Sequence, residues 1–365
     1  MPVQRDDPSV RWYEPGVFAV VPGIYRIPLP LHDELRAVNV YAIEGDDGFT
    51  LIDSGQVMAE ARRQLEVSLK ELGAGLADVR QFLVTHVHRD HYTQAVAVRR
   101  EFGTRVSLGA GEQASLTAMA DPGSPAYHQQ LIDLHRNGAS EIADRVRPLL
   151  AEETVPHTAW EPPDDWVESR THLAAGRRRL EARATPGHTQ GHMVYHERQH
   201  GLLFAGDHVL PHITPSIGLE PAPGGSPLAD YLGSLRDVRT LPDARLLPAH
   251  GPVAASSHAR IDELLDHHDT RLQAVATAIE RGARTAFDVS GVLPWTRRDR
   301  PFHSLAPFHQ MLAVIETAYH LHLLVAQARL VPGEADGITY YAVADERRLD
   351  PGWSEAARLS RLCQA

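Results

Sequence analysis

Three imidazoles and a carboxylate fall within His86 to His91, in the run Thr85-His86-Val87-His88-Arg89-Asp90-His91, directly after the short apolar segment VRQFLVT. An apolar run of that length bounded by polar text reads as a buried strand. The cluster then occupies a loop at a strand's C-terminal end, where α/β proteins gather their chemistry. Neutral imidazole and carboxylate suit borderline first-row divalent ions such as zinc, and a loop can aim adjacent residues at two neighbouring ions where a regular strand or helix cannot. The chain has 22 histidines, and loop histidines commonly just face solvent. The cluster therefore gains its weight from the segments that follow it.

Further segments put His or Asp beside glycine, each at the end of a short strand. They are Pro186-Gly187-His188-Thr189 with His192 close behind, Ala205-Gly206-Asp207-His208, and Pro248-Ala249-His250-Gly251. Glycine at such a place permits close approach and unusual backbone angles. Strand ends that repeatedly deliver metal-binding side chains constrain the chain to a fold in which those ends converge.

The text between them supplies such a fold. From Val17 to Asp53 the segments VFAVVPGIYRIPL, VNVYAIEG and GFTLIDSG alternate strands with turns, Gly45 to Gly48 forming a hairpin-like turn, and predict an antiparallel series. Apolar positions Ala61, Leu65, Leu69 and Leu72 predict a helix over Met58 to Leu72 that stops at Gly73. A helix from Thr93 to Phe102 and the strand RVSLG follow the histidine cluster. Between Asp121 and Asp165 the strand rhythm breaks around YHQQLIDLHRNGASEIADRV, which reads as an inserted helical lid over about 122–165. Strands resume at RRLEARATPG, MVYHE, GLLFAGD and ARLLPAHG, with a helix over Leu228 to Thr240. After Gly251 come a long helix from about Ala259 to Arg281, the segment TAFDVSGVL, an apolar helix from Pro307 to Ala328, and the hairpin-like RLVPGEADGITYYAV. The expected division is a catalytic domain over 1–255 and a smaller, mainly helical C-terminal domain over 256–365.

At this point the chain resembles the metallo-β-lactamase superfamily, whose H-x-H-x-D-H motif is matched by His86 to His91 without departure; the resemblance extends over roughly Val17 to Val253. It implies an α/β (α+β) fold, the four-layer αβ/βα sandwich with its site along one edge of two packed sheets. It also implies two divalent metal ions, zinc by preference and iron or manganese as options. In the family pattern His86, His88 and His188 hold the first ion, Asp90, His91 and His250 the second, and Asp207 bridges them. Asp53, in LIDSG, matches the family's Asp-Thr-Gly position, where a carboxylate orients ligating histidines from outside the coordination sphere. His192, His208 and His212 are candidate pocket residues beside the ligands.

The chemistry implied is hydrolysis by a metal-bridging hydroxide, with Asp207 holding both ions and Asp90 shuttling a proton. The segment GDHVLPHITP and the helical insert suit a small acyl substrate, so a carboxylic ester or thioester is expected, with glyoxalase II-like chemistry. A lactonase or β-lactamase-like hydrolase is an alternative. A metal-dependent endoribonuclease is another, because the C-terminal segment is similar to the winged-helix appendage of lactamase-beta-like endoribonucleases. Charge argues against nucleic acid: the net charge is −11, and Arg297, Arg298 and Arg300 are the only basic cluster in the tail, whereas gripping phosphates needs a basic face. The expected partner is a small molecule, with a homodimer as an option. The one cysteine, Cys363, cannot form an intrachain disulfide, and no apolar run suits a signal peptide or a membrane span. A cytoplasmic location is the expectation.

Overall fold

The structure is a computed structural model that describes residues 3–6, 11–121, 123, 127–152, 155–222, 224–296 and 298–344. Cys363 and Arg297, named above, lie outside the described residues. The chain divides into two compact units, one made of Met1–Ser124, Val155–Pro215 and Asp230–Leu264, the other of Pro125–Thr154, Ser216–Ala229 and Leu265–Ala365.

The first unit contains two mixed sheets. The larger runs, in sequence order, β1 (Gln4–Arg5), β2 (Phe18–Val21), β3 (Ile24–Pro30), β4 (Ala37–Glu44), β5 (Phe49–Ile52), β6 (Val79–Leu83), β7 (Arg105–Gly109) and β8 (Asp165–Val167). Pairing from β2 through β5 is antiparallel, as the hairpin text predicts, and parallel from β5 through β8. The second sheet orders β9 (His172–Ala175), β10 (Arg178–Ala184), β11 (Met193–Glu197), β12 (Leu202–Gly206) and β13 (Arg245–Pro248), antiparallel except for the last pair.

Alternation along the strands builds the layers. Ile24, Tyr41, Ile43, Ile52 and Leu83 of the first sheet meet Leu180, Ala182, Tyr195, Phe204 and Leu247 of the second in one buried cluster. The opposite side of the first sheet, with Ile27, Leu29, Val38, Val40 and Leu51, is covered by helices α1 (Ala59–Glu71) and α2 (Arg89–Phe102) through Ala61, Leu65, Leu69, Tyr92, Ala95 and Val96. In β12 the residues between the core positions, Leu203 and Ala205, are buried as well, which is the pattern of strands covered on both faces. Mixed sheets face to face with helices outside them form the metallo-β-lactamase sandwich. Helix α3 (Gln113–Ala120) follows β7.

Helix α2 starts at Arg89, four residues earlier than its apolar spacing predicts, because the His88 carbonyl already accepts from the N–H groups of His91 and Tyr92. Asp90 and His91 thus stand in the first helical turn, and only His86 to His88 form a true loop.

In the second unit, α4 (His128–Arg136) and α5 (Ser140–Glu152) are separated at Gly138, whose φ of 81° ends the first helix. Residues Leu131, Leu134, Ile142, Ala143 and Val146 are buried at helical spacing, and both helices contact α9 (Pro307–Ala326). Helix α9 is apolar almost all round, as the central helix of a small core must be. The segment that the sequence presents as an insert thus shares its core with the C-terminal helices. Helices α6 (Pro227–Arg239) and α7 (Ser257–Glu280) run across the unit limits. TAFDVSGVL forms α8 (Ala286–Val292), started by Thr285, which accepts from the Asp288 N–H while the Asp288 side chain accepts from the Thr285 N–H. Short strands β14 (Pro294–Trp295) and β15 (Arg300–Pro301) precede α9, and the hairpin of β16 (Leu330–Ala335) and β17 (Ile338–Val343) follows it. No helix among the described residues is long and apolar enough to cross a membrane.

Candidate metal centre

After β6, β12 and β13, and in the turn between β10 and β11, the seven predicted ligands come together, with Asp53 beside them at the end of β5. Three imidazole nitrogens form one triangle: His86 Nε2 lies 3.0 Å from His88 Nδ1 and 3.3 Å from His188 Nε2, and the last two are 3.0 Å apart. A tetrahedral zinc ion, with Zn–N of about 2.0–2.1 Å, has nitrogen-to-nitrogen edges of roughly 3.3–3.4 Å.

A second group adjoins it. Asp90 Oδ2 is 3.4 Å from His91 Nε2 and 3.3 Å from His250 Nε2. Asp207 reaches both groups: its Oδ1 lies 3.4 Å from His250 Nε2 and 3.7 Å from His91 Nε2, and its Oδ2 lies 3.6 Å from His188 Nε2. The sets His86/His88/His188, His86/His91/Asp207 and Asp90/His91/His250 each have ligand atoms close enough to hold an ion.

The hydrogen bonds around the rings fix which nitrogens are bare. A carboxylate only accepts, so His91 Nδ1, 2.9 Å from Asp53 Oδ2, must donate. The Asp53 carboxylate also takes the Thr85 N–H at 2.7 Å and the Thr85 hydroxyl at 2.9 Å. With its proton so committed, Thr85 Oγ1 accepts from His86 Nδ1 at 3.0 Å. His250 Nδ1 donates to the Ala37 carbonyl at 2.8 Å. In the neutral ring of each of these histidines, Nε2 keeps a lone pair and faces the centre. His91 Nε2, His250 Nε2 and Asp207 Oδ1 are buried without a hydrogen-bond partner. Such atoms are costly unless something satisfies them, and divalent ions fit the donor set.

Electrostatics agree with this division. Burial, followed by the neighbouring imidazoles, pushes His86 well below the usual histidine range, and burial with His188 does the same to His88. Burial would also depress His250, but the Asp207 and Asp90 carboxylates outweigh it and raise the ring to about 9. His91 is raised by Asp90, Asp53 and Asp207 against the same opposing burial. Asp90 is held well below the carboxylate range because His91 and His250 outweigh its desolvation. In the metal-free chain the first group is thus neutral and the second carries protons that an ion must displace.

Backbone close to the ligands is built for contact. Gly206 has φ 50°, and a Cβ there would come within 2.7 Å of His192 Nε2 and Thr85 Cβ. Gly187 has φ 136°, and its Cβ would lie 2.4 Å from Tyr231 Cβ. His192, one of the candidate pocket residues, is fully buried; its Nε2 accepts the Asp207 N–H at 3.1 Å and its Nδ1 donates to Thr185 Oγ1 at 2.8 Å. It holds the Asp207 loop from behind. His208 is buried against the Tyr231 ring, and burial lowers it to about 3, so its ring is neutral. His212 is exposed and belongs to none of the three ligand sets.

Two supports have no signal in the local sequence. Asn39 on β4 donates through Nδ2 to the carbonyls of Pro248, at 3.0 Å, and Gly251, at 2.8 Å, bracketing His250. Glu112, just beyond β7, accepts from the N–H of Val87.

Comparison with known proteins identifies the family. The family model of the metallo-beta-lactamase superfamily matches residues 33–250. The chain is 25% identical over 322 residues to a probable metallo-hydrolase, YqjP, of Bacillus subtilis, spanning 83% of this chain and 91% of that protein. The crystal structure of a metallo-beta-lactamase family protein, TTHA1429, from Thermus thermophilus superposes with a TM-score of 0.70 at 28% identity, covering 89% of this chain and all (100%) of the other. An atrochrysone carboxyl ACP thioesterase of Aspergillus fumigatus is 30% identical over 110 residues, 29% of this chain and 32% of that protein. With the motif, the sandwich and the converging ligands in agreement, the chain belongs to the metallo-beta-lactamase superfamily, as a metal-dependent hydrolase.

Proposed function

We propose that this hydrolase works with two divalent ions, zinc in the first instance, and cleaves a small carboxylic ester or thioester. The observation that carries the dinuclear reading is the Asp207 carboxylate, with Oδ1 turned to His250 and Oδ2 to His188. His86, His88 and His188 would hold one ion, Asp90, His91 and His250 the other, and Asp207 both. When bound, such ions supply a water activated near neutral pH and polarise the scissile carbonyl.

The chain's own residues set the rest. His88 and Asp90 are the partly exposed members of the ligand set, while His86, His91, His188, Asp207 and His250 are buried. Substrate therefore approaches over the N-terminal turn of α2. Asp90, kept ionised by His91 and His250, is the carboxylate placed there to take up a proton. His192 and Asp53 hold ligands in place without touching the reacting atoms.

An acyl substrate is favoured over a polyanion by the net charge of −11. A relative similar over 110 residues carries the name of an acyl carrier protein thioesterase. The test is elemental analysis of freshly purified protein joined to a screen of thioesters, esters, lactones, phosphodiesters and single-stranded RNA at several salt concentrations. Two metal equivalents and salt-insensitive turnover of a thioester or ester are expected. Turnover of RNA with affinity falling steeply in salt, or a chain that binds no metal, would overturn the reading.

A further inference from the structure

We infer that Glu112 is the positioning residue of the three-histidine group, strapping together the two loops that supply it. The inference rests on the reading of His86, His88 and His188 as metal ligands.

Glu112 ends the short helical turn Ala110–Glu112 after β7 and is fully buried. One oxygen, Oε1, serves both loops. It accepts the N–H of Val87, the residue between His86 and His88, at 3.3 Å, and the hydroxyl of Thr189, the residue after His188, at 2.5 Å. Val87 and Thr189 are otherwise far apart in sequence, and here a single atom fixes their separation. A buried carboxylate is costly unless its hydrogen bonds are made, so the strap resists opening.

The backbone around it is fitted equally closely. A Cβ on Gly109 would stand 2.0 Å from the Gly191 carbonyl oxygen, one on Gly111 would stand 2.6 Å from that of Gln190, and one on Gly191 would stand 2.1 Å from the Glu112 nitrogen. The turn that carries Glu112 and the turn that follows His188 therefore lie main chain against main chain. With the loop of His86 and His88 held at the Val87 N–H and the loop of His188 held at the Thr189 hydroxyl by the same carboxylate, the triangle with edges of 3.0–3.3 Å is set before any ion arrives. Lost supports of this kind weaken metal binding without removing a ligand.

The experiment compares the full-length protein with Glu112→Ala, Glu112→Gln and Thr189→Val, measuring zinc affinity by chelator competition. Each is also made in a His250→Ala background, where the three-histidine group is read alone. Glu112→Ala should bind zinc at that group about 10- to 100-fold more weakly, with the second group little changed. Glu112→Gln keeps an acceptor at Oε1 and should stay near the parent, and Thr189→Val should fall between. Circular dichroism and metal-free melting report folding; if Glu112→Ala does not fold, Thr189→Val, which leaves the carboxylate in place, decides. The inference is overturned by unchanged affinity in Thr189→Val and Glu112→Ala, by equal weakening of both groups, or by Glu112→Gln behaving like Glu112→Ala. A parent protein that binds no zinc would sink the metal reading itself, a different result.

Discussion

Oδ2 of Asp53 lies 2.9 Å from Nδ1 of His91, and this contact leaves Nε2 as the nitrogen that points to Asp90 and Asp207. Asp53 sits at φ 61°, in the left-handed region that a residue with a side chain enters at a cost. The twist turns the carboxylate back from the end of β5 to gather Thr85 and His91 together, so a residue from one strand orients ligands that follow the next.

Removing that carboxylate should loosen the second metal group. Asp53→Ala is expected to bind the second zinc equivalent about 10- to 100-fold more weakly, in the range found when outer-sphere partners of metal ligands are lost. Chelator competition measures it, and a folded variant with parental affinity would show that His91 needs no such guide.

Asp207 and His88 separate a shared ligand from an unshared one. Asp207→Ala should cost at least one metal equivalent and most turnover, and should disturb both groups, because its two oxygens face His250 and His188. His88→Ala should empty chiefly the three-histidine group. Elemental analysis of each variant reads the difference, and a normal metal content with normal turnover in either would refute the ligand assignment.

The second group makes the metal-free chain sensitive to alkali. His250 is raised to about 9 and His91 is raised as well, against about 6.5 for an unperturbed histidine. Groups raised on folding stabilise fully below their unfolded value and lose that contribution as pH climbs through the folded one. Metal-free protein should therefore melt at lower temperature as pH goes from about 6.5 to about 9, while zinc affinity rises across the same window because fewer protons must leave. A metal-free melting temperature that climbs over that window would contradict the placement of His250 between two carboxylates.

Gly206→Ala places a methyl 2.7 Å from His192 Nε2 and Thr85 Cβ at a φ of 50°. Steric clash and backbone strain together should cost about 1–3 kcal/mol of stability and shift the adjacent Asp207. Urea unfolding tests the first and zinc affinity the second. A variant as stable as the parent would mean that the loop yields freely.

The convergence of the candidate ligands was legible because each stands beside a strand whose apolar run is itself legible, and because glycine marks the bends that bring Asp207 and His188 inward. Helix α2 hid its first turn, since Arg89, Asp90 and His91 interrupt the apolar spacing that announces a helix, while the bonds that begin it come from the His88 carbonyl. The stretch from Tyr127 to Val146 read as one helical segment and is two, because a single left-handed glycine, Gly138, turns the chain. Asn39 and Glu112 left no trace in their own neighbourhoods. Asn39 acts on carbonyls 209 and 212 residues away, and Glu112 meets Thr189 across 77; such partners exist only after the sheets have assembled. His192 was visible as a histidine near a ligand, but that it spends both ring nitrogens on Thr185 and the Asp207 main chain belongs to the folded state.

The separation of the ligands along the chain has a consequence for biosynthesis. His188 must return to His86 across 102 residues, and His250 docks on Ala37 across 213, so contacts this distant form late and slowly. Synthesis from the N-terminus completes His86, His88 and His188 before His250 is made. If the proposed pair of ions binds, the three-histidine group is therefore the first of the two whose side chains all exist.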